Sequence, residues 1–185
     1  GYAAEASATR ATAVGISSVA SGDRSTAMGN TATASGSVSV AIGNSARATQ
    51  LNSTAVGGSA WATGEHSTAV GQLAFATRIG TTAVGRDSYA YGDNATAIGR
   101  SAWANGVNSV ALGAQAQATG PAAIAVGGVA VNEDGSPLLT RGGVAVDSGA
   151  TSAGVAASAA RPCGPTRWRA WGSRGRSRTS RCSTG

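Results

Sequence analysis

The chain contains 185 residues, of which 42% are hydrophobic and 12% are charged. Its formal net charge is +6 at neutral pH, but residues 1–160 hold seven arginines and eight acidic residues, so the positive charge belongs to residues 161–185. No apolar run reaches the ~18 residues of a membrane helix, which excludes membrane insertion by such a helix.

Glycine recurs at every fourteenth position from residue 1 to residue 127, without a gap. A fixed short period means that one small structural unit is stacked on copies of itself, and that each unit is buried mainly by its neighbours. The chain is therefore predicted to be a solenoid whose function lies on a ladder surface and not in a pocket. The glycines of this column are Gly1, Gly15, Gly29, Gly43, Gly57, Gly71, Gly85, Gly99, Gly113 and Gly127.

Each unit of fourteen residues divides into two halves. A second glycine follows seven positions after the first, as at Gly64 and Gly92, although Gln50 and Arg78 interrupt this second column. Each half therefore fits about one five-residue strand and a two-residue turn. The frequent glycines, the β-branched residues between them and the strict alternation exclude a helix.

Side chains alternate between small and large along each first half. Ser109, Ala111 and Gly113 point to one side of the strand, whereas Val110 and Leu112 point to the other. The second halves carry paired alanines, so two small sides are expected to face each other. We therefore predict an all-β, flattened parallel β-roll with coils of fourteen residues, whose walls lie closer together than the ~10 Å of ordinary stacked sheets.

A column of large aliphatic side chains is predicted to lie outside this thin roll, on one sheet. Fully burying one such side chain contributes roughly 1.5–3 kcal/mol, so the whole column would contribute on the order of 15–25 kcal/mol per chain as a gross upper estimate. A soluble monomer would not leave such a stripe exposed, and we predict self-association with the stripe on a rotation axis. The predicted interface residues are Val14, Met28, Ile42, Val56, Val70, Val84, Ile98, Leu112 and Val126.

The outward position between the paired alanines carries aromatic residues in four consecutive coils. In-register neighbours of a parallel sheet are ~4.8 Å apart, so these rings are predicted to form a stacked ridge that faces solvent. Two interpretations stay open: ring packing that stabilises the sheet by about 0.2–1 kcal/mol per pair, or a contact strip for an extracellular ligand. The candidate ligand-binding residues are Trp61, Phe75, Tyr89 and Trp103, with Tyr91 two positions from Tyr89.

Catalytic and metal-binding patterns are missing from the repeats. His66, the only histidine, takes a turn position that Asn52, Asn94 and Asn108 occupy in other coils, and is interpreted as a turn residue. The Gly-Gly-x-Gly-x-Asp repeats of calcium-binding rolls are absent, as are phosphate-loop and dinucleotide motifs. We predict no enzymatic activity, no cofactor and no metal.

The period breaks after Gly127. Val144, Ala145 and Val146 carry the pattern of the next coil, so the step from residue 127 to residue 147 is 20 instead of 14. The polar, turn-rich stretch that begins at Asn132 supplies the six extra residues. We therefore predict head repeats over 1–131, an inserted loop over 132–142, final head coils over 143–160 and an Arg-rich tail over 161–185.

The tail differs in kind from the repeats. Residues 161–185 hold seven arginines, two tryptophans and both cysteines, with no acidic residue. Such a tail suits nucleic acid or anionic lipid, but we favour non-native or disordered sequence after a slip of reading frame, because the change falls in mid-coil. If Arg167 to Trp171 were encoded by CGG, TGG, CGG, GCG and TGG, reading two bases later would give Val-Ala-Gly-Val. A disulfide between Cys163 and Cys182 stays open, and no nucleic-acid partner is predicted.

The motif Asn-Ser-Val-Ala-Leu-Gly at residues 108–113, with relatives at 52–57 and 94–99, resembles the head repeats of YadA-like trimeric autotransporter adhesins. The resemblance covers about residues 1–160. It implies a left-handed parallel β-roll, a homotrimer packed through the aliphatic column, and display on a Gram-negative outer membrane. It also implies host extracellular matrix proteins such as collagen or fibronectin as partners.

Three parts of such adhesins have no counterpart in the sequence: a C-terminal membrane barrel, a coiled-coil stalk and a neck. The sequence also begins in mid-repeat, without a signal peptide. We therefore expect an excerpt or an incomplete gene, with the anchor in a longer parent protein.

The leading hypothesis is a non-enzymatic adhesin head whose repeated weak contacts act through avidity. An ice-binding solenoid is one rival, suggested by a column of threonines that includes Thr68 and Thr82. That column shares its face with the predicted interface, whereas a flat Thr-x-Thr array would be expected. An acyltransferase on a β-helix is disfavoured because its hexapeptide period and catalytic histidine are missing, and a purely structural surface solenoid is the remaining alternative.

Overall fold

The computed structural model describes residues 1–127 and the backbone of three short strands at 139–140, 144–146 and 151–152. These residues form two sheets of very short parallel strands, here called sheet I and sheet II. Sheet I contains β1 (Glu5–Ala6), β3 (Val19–Ala20), β5 (Thr33–Ala34), β7 (Arg47–Ala48), β9 (Trp61–Ala62), β11 (Phe75–Ala76), β13 (Tyr89–Ala90), β15 (Trp103–Ala104), β17 (Gln117–Ala118), β21 (Thr151–Ser152) and β19 (Leu139–Thr140), in this spatial order. Sheet II contains β2 (Thr12–Val14), β4 (Thr26–Met28), β6 (Val40–Ile42), β8 (Thr54–Val56), β10 (Thr68–Val70), β12 (Thr82–Val84), β14 (Thr96–Ile98), β16 (Val110–Leu112), β18 (Ile124–Val126) and β20 (Val144–Val146).

The chain alternates between the two sheets, and each strand pairs with the strand one coil further on. Thr68 lies opposite Thr82 in sheet II, and Phe75 lies opposite Tyr89 in sheet I. A register of fourteen residues is thus kept through about nine coils, which confirms the predicted parallel β-solenoid. No helix long and apolar enough to cross a bilayer occurs in the described part of the chain.

The strands are shorter than the five residues that the spacing suggests, because the turns take more of each coil. Strands of sheet II have three residues and those of sheet I have two. The backbone hydrogen bonds between coils nevertheless continue through the turns. The amide of Gly29 donates to the carbonyl of Val14 at 2.7 Å, and the amide of Thr31 donates to that of Ile16 at 2.8 Å.

The interior of the roll is filled by alanine and small hydroxylated residues, as predicted. Every buried hydrophobic residue in the described range is an alanine, and the buried polar residues are serines and Thr81. Several of the buried hydroxyls use local acceptors: Ser67 Oγ donates to the carbonyl of Gly64 at 2.6 Å, and Ser53 Oγ to that of Gln50 at 2.6 Å. The space between the two sheets is therefore filled by small side chains alone among the described residues.

The uninterrupted glycine column has a structural cause that Gly71 illustrates. Its φ is +132°, in a region that L residues rarely adopt, and a Cβ added there would lie 2.5 Å from the carbonyl oxygen of Gly85. The neighbouring coil therefore occupies the space that a side chain would need.

The coil after Gly127 resumes at the shifted position that the sequence indicates. Ile124 pairs with Val144, so twenty residues separate neighbouring strands here instead of fourteen. Strand β19 falls in the range 132–142 that we predict as an inserted loop, and it pairs with β21. The rest of that loop, most of the range 143–160, and the whole tail with Cys163 and Cys182 lie outside the described residues.

Candidate functional site

The aliphatic column lies on the outer face of sheet II in the single chain. Val14 is 49% exposed and Leu112 is 42% exposed, although both are large apolar side chains. The column is continuous because each member pairs in register with the next, as Val70 does with Val84. The position predicted for these residues outside the roll is confirmed, while their role in an interface stays a prediction.

A second outward column widens the aliphatic stripe. It consists mainly of half-buried threonines that occupy the first position of each strand in sheet II, such as Thr68, Thr82 and Thr96, with Val40 and Val110 between them. Methyl groups of β-branched residues thus lie beside the larger aliphatic side chains. The face presented by sheet II is apolar and regular over nine coils.

The aromatic ridge lies on the outer face of sheet I, as the sequence predicts. The ring centroids of Trp61 and Phe75 are 5.3 Å apart in an edge-to-face arrangement, and those of Tyr89 and Trp103 are 5.4 Å apart with tilted planes. Tyr91 stacks against Tyr89 at 5.7 Å. The indoles at the two ends of the row, with exposures of 37% for Trp61 and 42% for Trp103, are the most accessible rings of the ridge.

A charged side chain, that of Arg47, lies at one end of the ridge. The guanidinium carbon of Arg47 lies 5.3 Å from the ring centroid of Trp61, at cation–π distance. On the other side of the row, burial and, to a smaller extent, the neighbouring Tyr89 raise the pKa of the Tyr91 phenol above its usual value of 10.0. The phenol is therefore neutral at physiological pH and can both donate and accept a hydrogen bond.

A shallow groove of about 290 Å³ opens beside Arg47 and Trp61. Its other walls are hydroxylated: Thr31, Ser45 and Ser59 come from the turns, and Thr33 comes from strand β5. This groove was not predicted from the sequence, because it combines a column of turn residues with a column of strand residues. The signal that would have found it is the triplet of hydroxylated residue, alanine and outward residue in three successive coils.

A second depression, of about 300 Å³, lies on the opposite turn where Gln50 and Arg78 interrupt the second glycine column. Glu65, Asp93 and Arg78 give this depression mixed charge.

His66 is a turn residue, as predicted, with φ of +55°. Its Nε2 lies 3.5 Å from Glu65 Oε1, and its Nδ1 lies 3.4 Å from Asn52 Nδ2. Within the described residues, no three histidine, cysteine or acidic side chains come together as metal ligands would. The outer faces of the two sheets and their turns are suited to binding, because they present rings, hydroxyls and apolar side chains in regular rows.

The sequence of the repeats matches a known family. A family model described as YadA head domain repeat (2 copies) matches residues 1–18, 6–32, 20–46, 48–74, 76–102 and 104–130. Each long match spans about two coils of the roll, and together the matches cover more than half of the chain. No curated protein matches the chain. The solenoid, its fourteen-residue coils and the family model agree, so the chain belongs to the YadA head domain repeat family, a family of bacterial surface adhesins.

Proposed function

We propose that the chain is the head of a trimeric adhesin, displayed on a Gram-negative outer membrane and binding host extracellular matrix or cell surfaces. Membership of the YadA head family and the parallel roll support an adhesin-like protein. The left-handed sense of the roll, the number of three chains and matrix ligands such as collagen or fibronectin come from the resemblance to that family.

The observation that carries the proposal is the exposed apolar face of sheet II. Val14, Met28, Ile42, Ile98 and Leu112 are all exposed in the single chain although the face is continuous and apolar. A stripe of this length is not left in contact with water by a soluble protein. Three copies around one axis would bury it and leave three copies of sheet I facing outward.

The outward sheet I is the surface on which we place the ligand. Trp61 and Trp103 combine large apolar area with an indole N–H, the kind of side chain that dominates binding energy at interfaces. Phe75, Tyr89 and Tyr91 complete the row between them. Each contact is weak, and three chains that each offer the row raise the overall avidity.

Adhesion of the full chain to immobilised collagen and fibronectin tests the proposal. We expect Trp61→Ala combined with Trp103→Ala to reduce adhesion about tenfold or more, since aromatic anchors are worth at least ~1–2 kcal/mol each. Tyr2→Ala is the matched control, because Tyr2 is an exposed aromatic residue outside the ridge. Equal adhesion by all three proteins with unchanged mass would favour the purely structural alternative for the ridge.

The ice-binding alternative predicts thermal hysteresis, which the same protein preparation can be tested for. The threonine column gives little support to ice binding. It is a single column that Val40 and Val110 interrupt, on the face that self-association would cover.

A further inference from the structure

The groove beside Trp61 is built from the same triplet in three neighbouring coils. The triplets Thr31-Ala32-Thr33, Ser45-Ala46-Arg47 and Ser59-Ala60-Trp61 each bury the central alanine completely. The first residue of each triplet is in the turn, and the third points outward from sheet I. The six outer side chains of these triplets therefore form two parallel walls, which line the groove.

The groove carries one positive charge that is free to meet a ligand. Arg47 is the only charged residue in the outward column of sheet I from Val19 to Gln117. None of the ion pairs among the described residues includes it, and its guanidinium contacts the indole of Trp61. A guanidinium that packs on an aromatic ring keeps in-plane N–H donors for a carboxylate or a sulfate.

The remaining wall of the groove offers a row of hydroxyls. Thr31 Oγ1 and Ser45 Oγ are 3.0 Å apart, and Ser45 Oγ donates to Asn44 Oδ1 at 3.1 Å. Ser59 extends this wall by one more hydroxyl, and Thr33 adds a hydroxyl from the facing wall, which comes from the strands. Since Ser45 gives its proton to Asn44, Thr31 donates to Ser45, and both oxygens keep a lone pair that can accept from a sugar hydroxyl.

We propose that this groove binds an acidic sugar unit of a host glycan. The carboxylate or sulfate pairs with Arg47, the sugar hydroxyls bond to the row from Thr31 to Ser59, and an apolar face of the sugar packs against Trp61. The assignment rests on the proposed adhesin function and names a ligand class for it. The next coil ends the site, because it brings the apolar Leu73 and Phe75 to the corresponding positions.

An acidic peptide is the other anionic ligand that an arginine attracts, and the backbone argues against it. The amides that flank the groove are already bonded between coils: Ser45 N donates to Asn30 O, and Ser59 N donates to Asn44 O, both at 2.8 Å. An extended peptide therefore finds no open strand edge here with which to pair.

The NMR signal of the Trp61 indole tests the site, and it distinguishes binding in the groove from binding to the Arg-rich tail. The chain has four tryptophans, so the indole N–H resonances of Trp61, Trp103, Trp168 and Trp171 can be assigned with single Trp→Phe variants. The deuterated full chain is titrated with a heparin disaccharide, an unsulfated chondroitin disaccharide, maltose and hexaglutamate. We expect the two acidic disaccharides to shift the Trp61 signal, and maltose and hexaglutamate to bind at least about tenfold more weakly. Both acidic disaccharides carry a carboxylate and only the heparin disaccharide carries sulfate, so equal binding means that the carboxylate suffices, and binding of the heparin disaccharide alone means that sulfate is required.

Two arginine variants, one inside the groove and one outside it, test whether Arg47 binds the acidic group. Arg47→Gln should weaken disaccharide binding at the Trp61 signal about tenfold, the effect of one lost charge-assisted contact. Arg100→Gln removes the same charge from an exposed turn outside the groove and should change the affinity less than about twofold. The proposal is overturned if both variants weaken binding equally, if only the tail signals of Trp168 and Trp171 shift, or if maltose or hexaglutamate binds as well. Adhesion of the same proteins to matrix is measured separately, so adhesion without a Trp61 shift removes the glycan site and leaves the adhesin function standing.

Discussion

The rings of Phe75 and Tyr89 lie face to face, with centroids 5.2 Å apart and an angle of 4° between their planes. The two residues are register partners in β11 and β13, so the stacking follows from the fourteen-residue period of the chain. A ring face that packs against another ring is not available to a ligand. The free surfaces of the ridge are therefore the ring edges and the two end indoles.

We expect the Phe75–Tyr89 stack to stabilise the roll measurably. A double-mutant cycle with Phe75→Leu and Tyr89→Leu, followed by urea unfolding, should give a coupling free energy of about 0.5–1.5 kcal/mol. The control cycle uses Trp61 and Trp103, which are three coils apart and do not touch; its coupling should be within about 0.5 kcal/mol of zero. Equal couplings in the two cycles would show that the stack contributes nothing of its own.

Most of the ridge and of the roll is predictable from the sequence, because each side chain repeats at the same place in every coil. The outward position of Trp61 and the small interior at Ala69 both follow from period-2 alternation within a coil. The groove at Arg47 did not follow, since it depends on side chains from a turn and from a strand at one height. The repeated triplet places these side chains in neighbouring columns, but the bend of the turn decides that the two columns enclose a groove.

Gly71→Ala should destabilise the roll strongly. The positive φ and the contact of a new Cβ with the backbone of Gly85 cannot both be relieved, so we expect a loss of about 2–5 kcal/mol in the free energy of unfolding. Gly58→Ala is the matched control, because a Cβ added at Gly58 meets nothing within 4 Å. Its effect should stay within about 1 kcal/mol of zero. Similar losses for the two variants would contradict the proposed cause of the glycine column.

The phenol of Tyr91 should titrate above pH 10.0, because burial disfavours the phenolate and Tyr89 adds to the effect. A raised pKa in the folded state means that the unfolded chain loses this proton first. The stability from the neutral phenol is therefore complete below pH 10.0 and is lost as the pH rises toward the folded-state pKa. Carbon NMR of the labelled tyrosine ring, assigned with Tyr91→Phe, measures the pKa. In the Tyr89→Phe variant, the pKa of Tyr91 should move part of the way back toward 10.0. A Tyr91 that titrates at or below pH 10.0 in the parent chain would refute the effect of burial.

The exposed aliphatic stripe predicts that the chain forms a trimer, and this is the most decisive test of the proposed function. One chain has a mass of 17.8 kDa, and sedimentation equilibrium should find three times that value.

Val70→Asp places a carboxylate near the centre of the stripe, where assembly would bring three of them together without counter-charges. Since burying an unpaired ion costs several kcal/mol, this variant should dissociate at neutral pH and reassemble at least in part near pH 3, where the carboxylates are protonated. Gln72→Asp adds the same charge at an exposed turn two residues away and should leave the mass unchanged. A parent chain that sediments as a stable, folded monomer would show that the stripe tolerates water, and with it the case for a trimeric head would be lost.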